Sequence, residues 1–188
     1  MSSVVGHGLA GLAAYQALRR PCRLPGGAGG AALALALSLL PDLDVPALVL
    51  WPQVFSHRGF THSLAFAGLA AGLAAWALTW RRRRDLARVW AGLAAVALTH
   101  PLLDYLMGCG PGVPWFWPLS STGYLSPVQL VPTAYYSRTL GGLWGLLSHG
   151  PTLRGMALEA AIFLPLLLLA WWPGRGGRPG PRRRKGEA

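Results

Sequence analysis

The amino-acid sequence predicts an all-α fold, a polytopic helical bundle embedded in a membrane with four or five spans. Three observations carry that expectation. Hydrophobic residues fill 53% of the 188 positions and charged ones 12%, about half the charged share of a soluble domain. Long Ala/Leu/Gly runs and nine tryptophans accompany a mean hydropathy of +0.38. The net charge of +11 is also confined, because fourteen of the seventeen basic residues fall in three clusters that each abut an apolar run. These are Arg19, Arg20 and Arg23; Arg81 to Arg84 with Arg88; and Arg175, Arg178, Arg182 to Arg184 and Lys185.

Taken in chain order, Val4 to Leu18 is the shortest apolar run and reads as a short span or an interfacial helix. No basic residue precedes it, which argues against a cleaved signal peptide. Gly29 to Leu50 is long enough to span, but Pro41-Asp42-Leu43-Asp44 interrupts it, and a proline disfavours helix at the preceding Leu40. His62 to Trp80 has 19 residues; at about 1.5 Å each they cover roughly 28 Å, the thickness of a bilayer core. Leu86 to Leu106 and Arg154 to Trp172 complete the set, with Pro165 a candidate kink in the last. Residues 107–153 read as a long extracytoplasmic loop with Trp115, Tyr135 and Tyr136 as interface anchors. Residues 1–173 thus form one membrane domain, and 174–188 an unstructured basic cytoplasmic tail.

If all five segments cross, the basic clusters alternate onto one side, the cytoplasm, leaving Arg58, Arg138 and Arg154 on the other. The N-terminus is then outside and the C-terminus inside. Basic clusters of this kind meet anionic lipid headgroups, so membrane lipids are the expected partners and nucleic acid is not. Cys22 and Cys109 show no metal-site spacing and fall on opposite sides, so they are expected neither to pair nor to ligate.

The same topology brings seven metal-type ligands from four segments toward one leaflet: His7, Asp42, Asp44, His57, His62, His100 and Asp104. An aspartate at a helix centre costs about 2.5–3.5 kcal/mol on insertion scales, so such residues need partners. His100 and Asp104 lie one helical turn apart and share a face. Asp42 and Asp44 would diverge on a helix, but a proline-broken end can turn either one inward. His57 and His62 cannot project from one regular helical face; Gly59 is expected to supply the turn between them, and Thr61 to cap the helix starting at His62. Carboxylates with imidazoles and no thiolate suit Zn first, and Mn or Fe next. Seven ligands exceed one tetrahedral ion, and two divalent ions are the natural count. Two such ions about 3.5–4 Å apart activate water and stabilise the leaving oxygen of a phosphoester. Arg58 beside them is suited to hold a phosphate bidentately. Plainer readings exist for each residue: an interfacial His7, helix-terminating Asp42 and Asp44, polar loop groups at His57 and His62, a hydrogen-bonded His100–Asp104 pair, and Arg58 paired to a carboxylate. Glu159, an acid inside the last span, is either functional or paired with Arg154, and His149 reads as structural.

Gly6-His7, Leu40-Pro41-Asp42-Leu43-Asp44, His57-Arg58-Gly59-Phe60-Thr61-His62-Ser63, His100-x-x-x-Asp104, Gly112-Val113-Pro114 and Trp117-Pro118 together resemble the YdjM-type inner-membrane metal-dependent hydrolases. The resemblance covers roughly residues 4 to 130. It implies a multi-pass, metal-dependent hydrolase of a bacterial or archaeal cytoplasmic (inner) membrane. The order of ligands is also similar to the all-helical zinc-dependent phospholipase C and nuclease group, although no later His-x-x-x-Glu follows here. Neither Gly-x-Ser-x-Gly nor a Gly-rich phosphate loop occurs, which argues against serine-hydrolase and nucleotide chemistry. The expected function is hydrolysis of a phosphoester on a lipid or lipid-linked substrate, with Asp44 as base and Arg58 on the phosphate. A metal transporter and a structural protein whose metal staples helices are the rivals.

Overall fold

The computed structural model describes residues 2–50, 57–81, 83–107, 110–128, 140–145 and 148–172, and all the named elements are helical. Cys109, Tyr135, Tyr136, Arg138 and the basic tail lie outside the described residues. Helix α1 (Val4–Leu18) begins where the Ser3 hydroxyl accepts from the Gly6 N–H at 3.2 Å, an ordinary serine cap. Helix α2 (Gly27–Leu39) stops before Pro41, as expected, and passes through a 3-10 turn, Leu40–Leu43, into the short α3 (Asp44–Leu50).

Helix α4 runs Leu64–Thr79, two residues later than the sequence suggests. Ser63 is its cap, accepting from Phe66 N–H at 3.1 Å. Thr61 is not the cap, because its hydroxyl is drawn to Asp44. Helix α5 (Leu86–Met107) follows, carrying Pro101 internally. In the expected long loop, residues 110–128 form turns closed by a Val113–Tyr124 bridge, and a short α6 (Leu140–Gly145) precedes α7. Helix α7 (Gly150–Trp171) starts earlier than expected and runs on through Pro165.

Among the described residues, three stretches of 22 residues are long and apolar enough to cross a membrane: Gly27–Leu48, Leu86–Met107 and Gly150–Trp171. The 16-residue α4 and 15-residue α1 are shorter, so the four or five spans expected resolve into three full-length candidates and two shorter helices packed among them. Helix α1 is central, touching α2, α5 and α7, while α4 lies on α5. Small residues set these approaches, as they do where lipid removes the hydrophobic drive between helices. Ala67, Ala71 and Ala75 form a buried stripe on α4 that packs with Val89, Leu93, Val96 and Ala97 of α5. Leu69, Leu73, Leu164 and Leu168 face outward.

Gly30 on α2 sits where a Cβ would overlap the Pro25 carbonyl and the Tyr15 hydroxyl, which are themselves joined by a 2.5 Å hydrogen bond. Gly30→Ala is therefore expected to break that bond and cost about 1–3 kcal/mol. A thermal melt in detergent with an unchanged midpoint would contradict this close packing.

Because the helices alternate in direction, the loops after α1 and α4 share one end, where Arg23 and Asp85 pair at 2.7 Å. The ligand-type residues collect at the other.

Candidate metal centre

Helix order explains how distant residues meet. His7 lies in the first turns of α1, Asp42 in the 3-10 turn after α2, His57 and His62 just before α4, and His100 and Asp104 near the end of α5. The proline break at Leu40–Leu43 turns Asp42 toward the cluster, and a left-handed residue reverses the chain before α4. That residue is Arg58, with φ of +61°, and not Gly59, whose φ is −84°. A left-handed arginine is strained and persists only where its surroundings over-determine it.

Ligand atoms within each of three groups lie within 4.8 Å of one another: His7, Asp42 and His100; Asp42, His57 and His62; and His62, His100 and Asp104. Six of the seven expected ligands thus converge. Asp44 belongs to none of these groups. Its Oδ1 takes His57 Nδ1 at 2.8 Å, and its Oδ2 accepts from the Arg58 N–H at 3.2 Å and the Thr61 hydroxyl at 3.0 Å. Through these contacts the carboxylate orients the ligand loop.

The hydrogen bonds also assign the imidazole tautomers. His100 Nδ1 lies 2.7 Å from the Ser38 carbonyl, which only accepts, so Nδ1 carries the proton. Thr61 gives its hydroxyl proton to Asp44 and therefore accepts from His62 Nδ1, 2.9 Å away. In their neutral forms both rings then present Nε2 lone pairs, which face each other at 3.2 Å. Two lone pairs at that distance repel unless a proton or a cation lies between them. Fixing Nδ1 by an outer acceptor so that Nε2 points inward is also how metal-ligating histidines are held.

Burial sharpens the case. His7 is fully buried and stacked on His100, ring centroids 3.7 Å apart, yet neither of its nitrogens has a hydrogen-bond partner among the described residues. Its Nε2 stays 3.6 Å from Asp104 Oδ1. Asp42 Oδ1 is likewise without a hydrogen bond, 3.5 Å from His100 Nε2. Orphaned buried polar atoms cost about 1–3 kcal/mol each, and here they point at one another. The cluster region holds three carboxylates, Asp42, Asp44 and Asp104, and one guanidinium, that of Arg58, whose Nε lies 3.0 Å from Asp104 Oδ2. That excess of negative charge, with lone pairs turned inward, fits divalent cations.

A cavity of about 530 Å³ adjoins the cluster, lined by Asp44, His57, Arg58 and Thr61 on one side and Gly112 and Trp117 on the other. The loop over it is tight: Gly112 has φ of +80°, and a Cβ there would come within 2.7 Å of the Gly123 backbone.

A family model described as YdjM inner membrane protein matches residues 1–176. The chain belongs to the YdjM family. Inner membrane protein YbcI of Escherichia coli (strain K12) is 38% identical over 106 residues, which are 55% of this chain and 61% of YbcI. The chain thus spans less than two thirds of that relative's length. No solved structure matches. The YdjM match makes this an inner membrane protein, in keeping with its apolar helices, and it extends through α7, beyond the motifs legible in the first 130 residues.

Helix α7 brings the acid that sequence reading left without a settled partner in this YdjM-family chain. Glu159 does not pair with Arg154; it accepts from Ser2 and Ser3, which precede α1. No sequence signal points to those serines beyond Ser3 standing three residues before Gly6 as a helix cap. Trp115 ties the loop down, its carbonyl accepting from Leu64 N–H at 3.1 Å. His149 Nδ1 meets the Thr152 hydroxyl at 3.0 Å at the start of α7, and Cys22 packs at Gly92, away from the cluster.

Proposed function

We propose that the protein is a membrane-bound, metal-dependent hydrolase that cleaves a phosphoester of a lipid or lipid-linked substrate. The observation that carries this reading is the pairing of an inward-facing imidazole–carboxylate cluster with an adjoining cavity lined by Arg58. Its volume, about 530 Å³, falls in the ~300–1,000 Å³ range of small-molecule sites. His7, Asp42, His57, His62, His100 and Asp104 would hold the ions, two by the number of donors, with Zn the first choice and Mn or Fe the alternatives. Bound divalent ions supply Lewis acidity, which makes water a nucleophile at neutral pH and offsets charge on a phosphoester.

The chain's own residues do the rest. Asp44 orients His57 directly and His62 through Thr61. Arg58 neutralises Asp104 and, lining the cavity, presents the cationic surface on which a phosphate would rest. Phe60 and Trp117, in ring contact at 5.5 Å, flank the same cavity with an apolar wall suited to an amphiphile. The ligands' position at one end of the bundle favours this reading over transport, which needs a path through the midplane. With the basic loops in the cytoplasm, the site faces the outer leaflet.

The test is chelation and restoration. Purified protein stripped of metal is expected to lose turnover of phosphodiesters and phospholipids, and to regain it with Zn or Mn. Protein that binds zinc but turns over no phosphoester would instead be a metal-stapled structural protein.

A further inference from the structure

We propose that Glu159 is a positioning residue of the metal cluster: from a helix that carries none of the cluster's ligands, it sets the positions of two of them, His7 and Asp104. The inference rests on reading the cluster as a metal site.

Glu159 lies midway along α7 and is buried, 2% exposed. A carboxylate at such depth needs compensation. It finds this in the backbone that leads into α1. Oε1 accepts from the Ser2 hydroxyl at 2.8 Å, both oxygens lie 3.0 Å from Ser3 N, and Oε2 also takes the Ser3 hydroxyl. The positive end of the α1 dipole faces it as well. The grip is close, since a Cβ on Gly6 would come within 2.7 Å of the Glu159 carboxyl.

Two connections run from this clamp into the cluster. The Ser2 N–H donates to Asp104 Oδ1 at 3.2 Å. Ser3 caps α1, and its carbonyl accepts from the His7 N–H at 2.9 Å. One carboxylate therefore fixes the backbone segment that orients Asp104 on α5 and places His7 on α1. An acid needed only to join α7 to α1 would not require the Ser2 N–H to be aimed at Asp104. Partners outside the ligand set that orient ligands typically contribute about 10–100-fold to metal affinity.

Zinc affinity, read by chelator competition on the full-length protein in detergent, tests the assignment. Glu159→Ala is expected to weaken zinc binding about 10–100-fold. Glu159→Gln, which keeps one accepting oxygen, should fall between it and wild type, and the lipid-facing control Leu158→Ala should match wild type. Should Glu159→Ala fail to fold, the Ser2→Ala/Ser3→Ala double variant makes the same measurement with α7 untouched. If wild type binds zinc and the Glu159 variants melt earlier with unchanged zinc affinity, Glu159 is a helix fastener and the inference falls while the metal site stands. A wild-type protein that binds neither zinc nor manganese overturns both.

Discussion

His100→Ala is expected to abolish tight metal binding. His100 contributes to two of the three converging groups, and its Nε2 faces His62 Nε2 at 3.2 Å. Removing it takes a donor from both groups and leaves the buried Ser38 carbonyl without its side-chain partner. The loss should exceed the about 10–100-fold typical of an outer hydrogen-bond partner. His57→Ala should cost less, because His57 belongs to one group only. Metal content per chain, measured after gel filtration on wild type, His57→Ala, His62→Ala and His100→Ala, checks the ranking. Wild-type metal content in the His62 and His100 variants would mean that these rings merely pack.

Arg58→Gly gives the second large effect, and its sign depends on which of two terms dominates. Glycine relieves the strain of φ +61°, a gain of about 1–3 kcal/mol. The same change strands Asp104, whose side chain is fully buried against the guanidinium, and breaking a buried ion pair costs about 3–5 kcal/mol. The pair dominates, so the metal-free variant should be less stable by roughly 2 kcal/mol. Zinc would take over part of the neutralisation of Asp104, so the deficit should shrink in loaded protein. Thermal midpoints with and without zinc measure both. A variant as stable as wild type without metal would show that Arg58 does not compensate Asp104.

Local chemistry was legible in the sequence, and long-range exchange of hydrogen bonds was not. The limits of α1, the break at Pro41 and the extent of α5 follow from apolar runs and proline, whose effects stay within a few residues. The convergence of His7, Asp42, His57, His62, His100 and Asp104 was also legible, because alternating helices bring every second loop to one end. The details of the ligand loop were not. Glycine was the natural candidate for the left-handed position, but the geometry falls on Arg58, held there by its own contact with Asp104, 46 residues away. Thr61 looked like a cap until Asp44 claimed its hydroxyl. Glu159 meets its serines across 156 and 157 residues, a separation at which a single sequence offers no pattern.

The order in which these residues leave the ribosome matters for biogenesis. His7 is made before Asp104, and the Glu159 that holds the start of α1 comes after both. A nascent chain therefore exposes incomplete sets of donors while its early helices are already being inserted. The donor cluster and the contacts behind it are complete only once α7 has docked, so any cation capture that needs them would follow that docking.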